Sequence, residues 1–125
     1  MAGQDLERTA RALVADGKGI LAADETVPTV TKRLNALHIE STADSRRTYR
    51  EMFFATPGAG EFISGAILYD ETIRQNSSSG IPLAEVLTRQ GIIPGNKVDK
   101  GAKPLAGSPD ETVTEGLDGL RDRLK

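Results

Sequence analysis

Two neighbouring acids, Asp24 and Glu25, follow the apolar run GILAA and precede a Val-Pro-Thr turn. A short apolar run that ends at a turn signal is typical of a buried strand. Carboxylates at the end of such a strand can act as general acids or bases, or can simply mark where the strand reaches water. The spacing alone does not choose between these two interpretations.

The same arrangement occurs twice more, because residues 62–69 and the segment IIPGNKVDKG also run from apolar into charged residues. Parallel strands present their carboxyl ends to one edge of a sheet, so these charged residues are predicted to share an edge, called the rim below. The rim residues are Asp24, Glu25, Asp70, Glu71, Lys97, Asp99 and Lys100. Such a set could perform acid–base chemistry or hold a phosphate, and a lysine with a lowered pKa could be an amine nucleophile. The rim predicts a site but no named reaction.

A second candidate site lies just after the first strand. Thr26 and Thr29 offer hydroxyl groups at the start of a predicted helix, and Lys32 and Arg33 follow one turn later. Helix N-termini attract anions through unpaired N–H groups and the helix dipole, so a phosphate would suit this position. Ordinary helix capping and a solvated basic pair explain the same residues, and the spacing favours that alternative slightly.

The elements that must position these residues follow from apolar periodicity and turn signals. A helix that Gly17 ends precedes the first strand, and two helices separate the first and second strands, the later one starting at a capping box formed by Ser41 and Asp44. A short helix leads to the third strand, and a loop at residues 101–112 leads to a last helix over 117–124. Apolar strands that alternate with helices predict a parallel sheet covered by helices, and therefore an α/β protein.

Composition excludes several classes of function. The chain has no cysteine, which rules out disulfides and thiolate metal sites, and one histidine, His38, which does not suit a histidine-based metal centre. Its 16 basic and 18 acidic residues are interspersed, which argues against a dedicated nucleic-acid surface. The apolar runs are far shorter than the roughly 20 residues of a membrane helix, and no signal-peptide core is present. We expect one soluble, cytoplasmic domain of 125 residues.

Several segments, taken in order, carry a family resemblance. They are GKGILAADE, TKRL, RRTYREMFF, TPGAGEFISGAILYDET, GIIPGNKVDKG and PLAGSPDETVTEGLDGL. This ordered set closely resembles the amino-terminal part of class I fructose-bisphosphate aldolase and covers the chain from Leu13 to Lys125. The family has a (β/α)₈ TIM barrel. The resemblance therefore implies a partial barrel of about three βα units with an extra amino-terminal helix, in a single incomplete domain over residues 1–125.

The family reversibly cleaves fructose bisphosphate to dihydroxyacetone phosphate and glyceraldehyde phosphate through a lysine Schiff base, with no metal or other cofactor, in glycolysis and gluconeogenesis. By resemblance, Asp24 contacts substrate hydroxyls and assists proton movement at the cleaved bond, and Lys97 steadies negative charge beside the Schiff-base lysine. Glu25 is left as a bystander. The positions where the family binds a sugar phosphate are Thr26, Thr29, Lys32 and Arg33, although residues 27–28 replace a small Thr-Gly pair.

The family's Schiff-base lysine, both catalytic glutamates and the second phosphate clamp lie on later strands than the three found here. We therefore expect the 125-residue chain alone to lack aldolase activity. The resemblance implies a phosphorylated sugar substrate and a homo-oligomer for the full-length family member. The charge balance and the short apolar runs predict no nucleic-acid or membrane partner. Two alternatives stay open: a non-catalytic assembly or interaction unit with open strand edges, and a related lysine-dependent aldolase acting on another phosphorylated sugar.

Overall fold

The sheet that carries the rim is three-stranded and entirely parallel. A computed structural model describes residues 2–125. Its strands β1 (Gly19–Ala23), β2 (Ile63–Leu68) and β3 (Ile93–Asn96) lie side by side in that order. β1 pairs in parallel with β2, and β2 with β3, so their three carboxyl ends meet at one edge. The prediction of a parallel α/β sheet is confirmed.

Helices occupy the connections between the strands. They are α1 (Ala2–Leu13), α2 (Val27–Ala36), α3 (Ala43–Phe54), α4 (Asp70–Ile73), α5 (Leu83–Thr88) and α6 (Leu120–Arg123), with a 3₁₀ turn at Ala59–Glu61. No helix within residues 2–125 is both long and apolar enough to cross a membrane.

The last helix is much shorter than predicted, and two of the leucines that suggested it, Leu117 and Leu124, are exposed.

The capping box of α3 lies one residue later than predicted. The Thr42 hydroxyl accepts a hydrogen bond from the Ser45 N–H at 3.0 Å, and the Ser45 hydroxyl accepts from the Thr42 N–H at 2.9 Å. Ser41 instead lies 2.7 Å from the Thr31 hydroxyl. The prediction missed this arrangement because a serine replaces the glutamate or glutamine that usually closes the box.

The core lies between one face of the sheet and the helices α3 and α5. Its buried members are Ala23, Phe54, Ala66, Leu68, Leu83, Leu87 and Ile92. Side chains alternate along a strand, so Ile20 and Ile67 lie on the opposite face, where they are 48% and 36% exposed. The end of α1 touches this sheet at Gly65, where an added Cβ would lie 2.4 Å from Leu13 Cδ2. Within residues 2–125, no further strand pairs with the outer edges of β1 and β3.

Residues 101–112 were predicted to be a loop, and that prediction was wrong. They belong to a β-hairpin of two antiparallel strands, β4 (Ala102–Leu105) and β5 (Ser108–Thr114). Gly107 at the tip has φ 78°, a left-handed conformation that glycine adopts without strain. Nearly every residue of both strands is exposed, so the apolar alternation that identifies a half-buried strand is absent from the sequence.

Candidate functional site

Asp24 and Lys97 meet at the rim. Lys97 directly follows β3, and its Nζ lies 3.4 Å from Asp24 Oδ2 and 2.5 Å from Asp99 Oδ2. The backbone N–H of Lys97 donates to the Leu68 carbonyl at 2.8 Å. This bond extends the hydrogen bonding between β2 and β3 by one residue and fixes the backbone at Lys97. The side chains of Lys97 and Asp24 are 22% and 27% exposed, so both remain open to a ligand. The rim therefore places a carboxylate and an ammonium group at the ends of β1 and β3.

The two acids keep the Lys97 ammonium charged. The hydrogen bond to Asp99 is the main cause of a raised Lys97 pKa, partial burial opposes it, and Asp24 adds to the rise. In turn, Lys97 and the Gly101 N–H lower the pKa of Asp99. Imine formation needs a neutral amine, so a lysine held in its protonated form is a poor nucleophile. This geometry suits Lys97 to stabilising negative charge and argues against an amine-nucleophile role.

The segment that carries Lys97 is supported by the chain that follows the hairpin. The Lys100 N–H donates to the Glu115 carbonyl at 2.8 Å, next to the hairpin. The next residue, Gly116, passes so close that an added Cβ would lie 2.6 Å from the Val98 carbonyl oxygen and 2.8 Å from Asp99 Cα. Its φ of 147° also disfavours other residues. A glycine is therefore required where this chain crosses the rim.

The other rim acids are engaged in structural contacts. Glu71 accepts hydrogen bonds from Arg46 Nε at 2.9 Å and Nη2 at 2.7 Å. Asp70 accepts from Asn96 Nδ2 at 3.1 Å and faces Arg74, the residue after the last turn of its own helix. Hydrogen bonds from these partners lower the pKa of both carboxyl groups, against the opposing effect of partial burial. Of the rim acids, Asp24 and Asp99 are the ones directed at Lys97.

We expect Glu71→Gln to lower the free energy of unfolding by about 1 kcal/mol near neutral pH. The pKa of Glu71 is lowered in the folded chain, mainly by the Arg46 hydrogen bonds, so the pair contributes stability above the unfolded pKa of a glutamate. That contribution is lost as the pH falls through the folded pKa. Urea unfolding at about pH 7 should separate the parent from the variant, and near pH 2 the difference should vanish.

The matched control is Asp44→Asn, because the Asp44 side chain is 80% exposed and pairs with an arginine of the same helix. This change should alter the free energy of unfolding by no more than about 0.5 kcal/mol. A Glu71→Gln effect of the same size at neutral and acid pH would contradict the proposed ion-pair contribution.

A cavity of about 420 Å³ opens beside Lys97. Its lining residues are Thr26, Tyr69, Asp70, Lys97, Asp99, Lys100, Gly101 and Arg123. Three cationic and two anionic side chains in this lining suit a polar ligand that carries negative charge. Within residues 2–125, no three His, Cys, Asp or Glu side chains come together as a metal site would require.

The four predicted phosphate-binding residues are in different environments. The hydroxyls of Thr26 and Thr29 lie 3.3 Å apart at the start of α2, where Thr26 makes no side-chain capping bond. Arg33 Nη1 donates to Tyr49 Oη at 2.7 Å and also contacts Glu25. Lys32 is exposed on α2. The structure brings the two threonines together, directs Arg33 toward Glu25, and leaves phosphate binding here as a prediction.

Sequence reasoning missed Arg50, which is only 2% exposed on α3. Arg50 Nε donates to the Ala23 carbonyl at 2.9 Å, and Nη2 donates to the Glu25 carbonyl at 2.7 Å. Glu25 therefore has a structural role, because it forms ion pairs with both this arginine and Arg33. A usable signal was present: Arg50 lies four residues before the buried Phe54, on the apolar face of its helix.

Comparisons with known proteins give consistent matches. The family model described as fructose-bisphosphate aldolase class-I matches residues 5–125. A probable fructose-bisphosphate aldolase class 1 from Xanthomonas axonopodis is 57% identical over 125 residues, covering 100% of this chain and 37% of that protein. The fructose-bisphosphate aldolase of Drosophila melanogaster is 52% identical over 120 residues, covering 95% and 33%.

A solved structure agrees with the sequence matches. It is the fructose-bisphosphate aldolase of Plasmodium falciparum in a ternary complex with TRAP and a small-molecule inhibitor. Its TM-score is 0.91 at 47% identity, over 98% of this chain and 35% of that one. This chain thus spans about a third of the length of the relatives it matches.

Proposed function

This chain belongs to the class-I fructose-bisphosphate aldolase family, and from that premise we propose that it supplies the Asp24–Lys97 side of a site that reversibly cleaves fructose bisphosphate. The products would be dihydroxyacetone phosphate and glyceraldehyde phosphate. The observation that carries the proposal is the 3.4 Å approach of Lys97 Nζ to Asp24 Oδ2 at the rim. The adjoining cavity of about 420 Å³, which is lined by Lys97 and two further cationic side chains, supports a phosphorylated sugar as the ligand.

Each residue of the pair has a distinct role in this proposal. The Asp24 carboxylate accepts and returns the proton of the substrate hydroxyl next to the cleaved carbon–carbon bond. The Lys97 ammonium donates a hydrogen bond to substrate oxygen where negative charge develops. The imine-forming lysine is a different residue on a later strand, which is consistent with the raised pKa of Lys97.

We also propose that β1, β2 and β3 are the first strands of a (β/α)₈ barrel and that residues 1–125 form one incomplete barrel domain. The parallel strand order, the open outer edges of β1 and β3, and the exposed Ile20 and Ile67 support this view. Phosphate binding by the α2 residues and homo-oligomeric assembly remain predictions from the resemblance, and a cytoplasmic location remains a prediction from the sequence.

The purified 125-residue chain should not cleave fructose bisphosphate above the uncatalysed background. Catalysis by positioned groups fails when the nucleophile and its neighbours are missing, since positioning alone can supply about 7–11 kcal/mol of the barrier. A coupled assay for glyceraldehyde phosphate on mass-verified chain measures this. Measurable cleavage that co-purifies with the chain would refute the assignment of the nucleophile to a later strand.

A chimera tests the function itself. In this chimera, the present chain replaces the matched 120-residue segment of the Drosophila melanogaster aldolase. We expect its kcat to lie within about tenfold of the parent enzyme, a barrier difference of about 1.4 kcal/mol. The Drosophila protein without the matched segment is the negative control. A folded chimera with no cleavage activity would contradict the proposed function.

The assembly-unit alternative is favoured by one observation, the unpaired edges of β1 and β3. Such edges can pair with a second chain. Light scattering of the purified chain tests this alternative, because a compact monomer at high concentration would count against assembly through these edges.

A further inference from the structure

Arg50 links α3 to the main chain on both sides of Asp24. Its guanidinium donates to the carbonyl of Ala23, the residue before Asp24, at 2.9 Å. It also donates to the carbonyl of Glu25, the residue after Asp24, at 2.7 Å. One buried side chain thus holds the two carbonyl groups that flank the rim carboxylate.

The shape of the guanidinium makes this link restrictive. Arginine presents its donors in a rigid planar fork, whereas lysine presents one compact ammonium on a flexible stem. Only Asp24 and the N and Cα atoms of Glu25 lie between the bridged carbonyls, so fixing both carbonyl positions constrains the backbone dihedrals of these two residues. The direction of the Asp24 side chain toward Lys97 follows from that backbone. A lysine at position 50 could donate to the carbonyls but could not set their relative orientation.

The surroundings of Arg50 keep its charge stable in a buried position. Glu25 Oε2 lies 3.2 Å from Arg50 Nη2, and the Tyr49 ring centroid lies 5.3 Å from Arg50 Cζ. Burial lowers the pKa of Arg50, and Glu25 is the leading group that opposes this. A buried ion pair is weak evidence for stability, since apolar residues of similar volume often serve as well. The observation that needs explaining is that the Arg50 hydrogen bonds converge on the main chain beside Asp24.

We propose that Arg50 is a positioning residue, which holds the Asp24 carboxylate against Lys97 and the substrate by bridging the carbonyls of Ala23 and Glu25. Its effect on the reaction rate rests on the proposed aldolase function. Its effect on the contact between Asp24 and Lys97 rests on the fold alone, so the two can be tested separately.

The rate effect is tested with Arg50→Lys in the chimera. We expect kcat to fall about 10- to 100-fold, because a displacement of about 1 Å can cost that much, with KM changed by less than about threefold. The matched control is Arg46→Lys, on the same helix, where the 14% exposed side chain pairs with the rim acid Glu71 but contacts no main chain beside Asp24. This control should keep kcat within about twofold of the parent. Equal losses in both variants would overturn the proposal.

A second variant provides a test that does not depend on whether Arg50→Lys folds. Arg50→Gln combined with Glu25→Gln removes both buried charges together, so that neither is left unpaired. Its kcat should fall as far as that of Arg50→Lys, while its thermal unfolding stays cooperative. A folded double variant that retains kcat within about twofold of the parent would also overturn the proposal.

The effect of Arg50 on the contact between Asp24 and Lys97 is tested without an activity assay, by NMR titration of the Lys97 side chain in the 125-residue chain. Asp24 contributes to the raised pKa of Lys97, so Arg50→Lys should lower that pKa toward its ordinary value, and Arg46→Lys should leave it unchanged. An unchanged Lys97 pKa in Arg50→Lys refutes the positioning role. An inactive parent chimera together with a lowered Lys97 pKa in Arg50→Lys would reject the proposed function and support the role of Arg50.

Discussion

Asp24→Asn in the chimera is expected to lower kcat for cleavage of fructose bisphosphate by about 10²- to 10⁴-fold, the range that one positioned acid–base group contributes. Asparagine has nearly the same shape, but its amide cannot accept and return a proton. The Asp24 side chain is 27% exposed, so the change leaves no unpaired group in a dry interior. KM should change by less than about threefold, because the lost interaction belongs to the chemical step. Steady-state kinetics with circular dichroism as a folding check measure both quantities.

Asp44→Asn is the control for this change. The Asp44 side chain is 80% exposed in the first turn of α3 and pairs with Arg47 of its own helix, so the same acid-to-amide replacement there should leave kcat within about twofold. If Asp24→Asn also stays within about threefold of the parent, Asp24 does not transfer a proton in the rate-limiting step.

Lys97→Met should be the second most damaging change, with kcat reduced by about 10²- to 10³-fold, the cost of removing one preorganised electrostatic group. Methionine is close to lysine in length and cannot stabilise negative charge on the substrate. The loss also leaves Asp24 and Asp99 facing each other without their shared cation. The comparison variant is Lys103→Met on the exposed strand β4, which removes the same charge away from the rim and should keep full activity.

A chemical trap separates the two roles that a rim lysine could have. Borohydride reduction in the presence of dihydroxyacetone phosphate should leave Lys97 unlabelled in the chimera and place the label on a lysine from the Drosophila portion. Labelled Lys97 would restore the imine role that its protonated, doubly paired state argues against. Full activity of Lys97→Met would reject both roles.

The sheet and its rim could be predicted from the sequence because each strand is an apolar run that stops at charged residues. This local pattern predicts that Asp24 and Lys97, 73 residues apart, lie at the same edge. The residues that hold the rim in place carry a weaker signal. Arg50 binds main-chain carbonyls 25 and 27 residues earlier, and carbonyl groups are identical at every position of a sequence.

The β4–β5 hairpin and the contacts of Glu25 were not predicted from the sequence, and the physical reasons differ. Strands β4 and β5 pair with each other and bury little, so their backbone hydrogen bonds leave no apolar pattern in the sequence. Glu25 has three partners, and all of them become neighbours only when α2 and α3 pack beside β1. The resemblance identified the family but did not explain why an acid follows Asp24.

The β4–β5 hairpin gives this protein a natural insertion point. Its strands pair in one register from Ala102–Thr114 to Pro104–Thr112, and a register shift then pairs Leu105 with Ser108. The hydrogen bond from the Lys100 N–H to the Glu115 carbonyl closes the base of the hairpin, three residues after Lys97. The tip at residues 106–107 is exposed. A flexible peptide added there lengthens a loop whose closure cost grows by only about 0.6 kcal/mol per doubling of its length. An epitope tag inserted between Ala106 and Gly107 should therefore leave the rim untouched, which permits the chain to be followed without modifying either terminus.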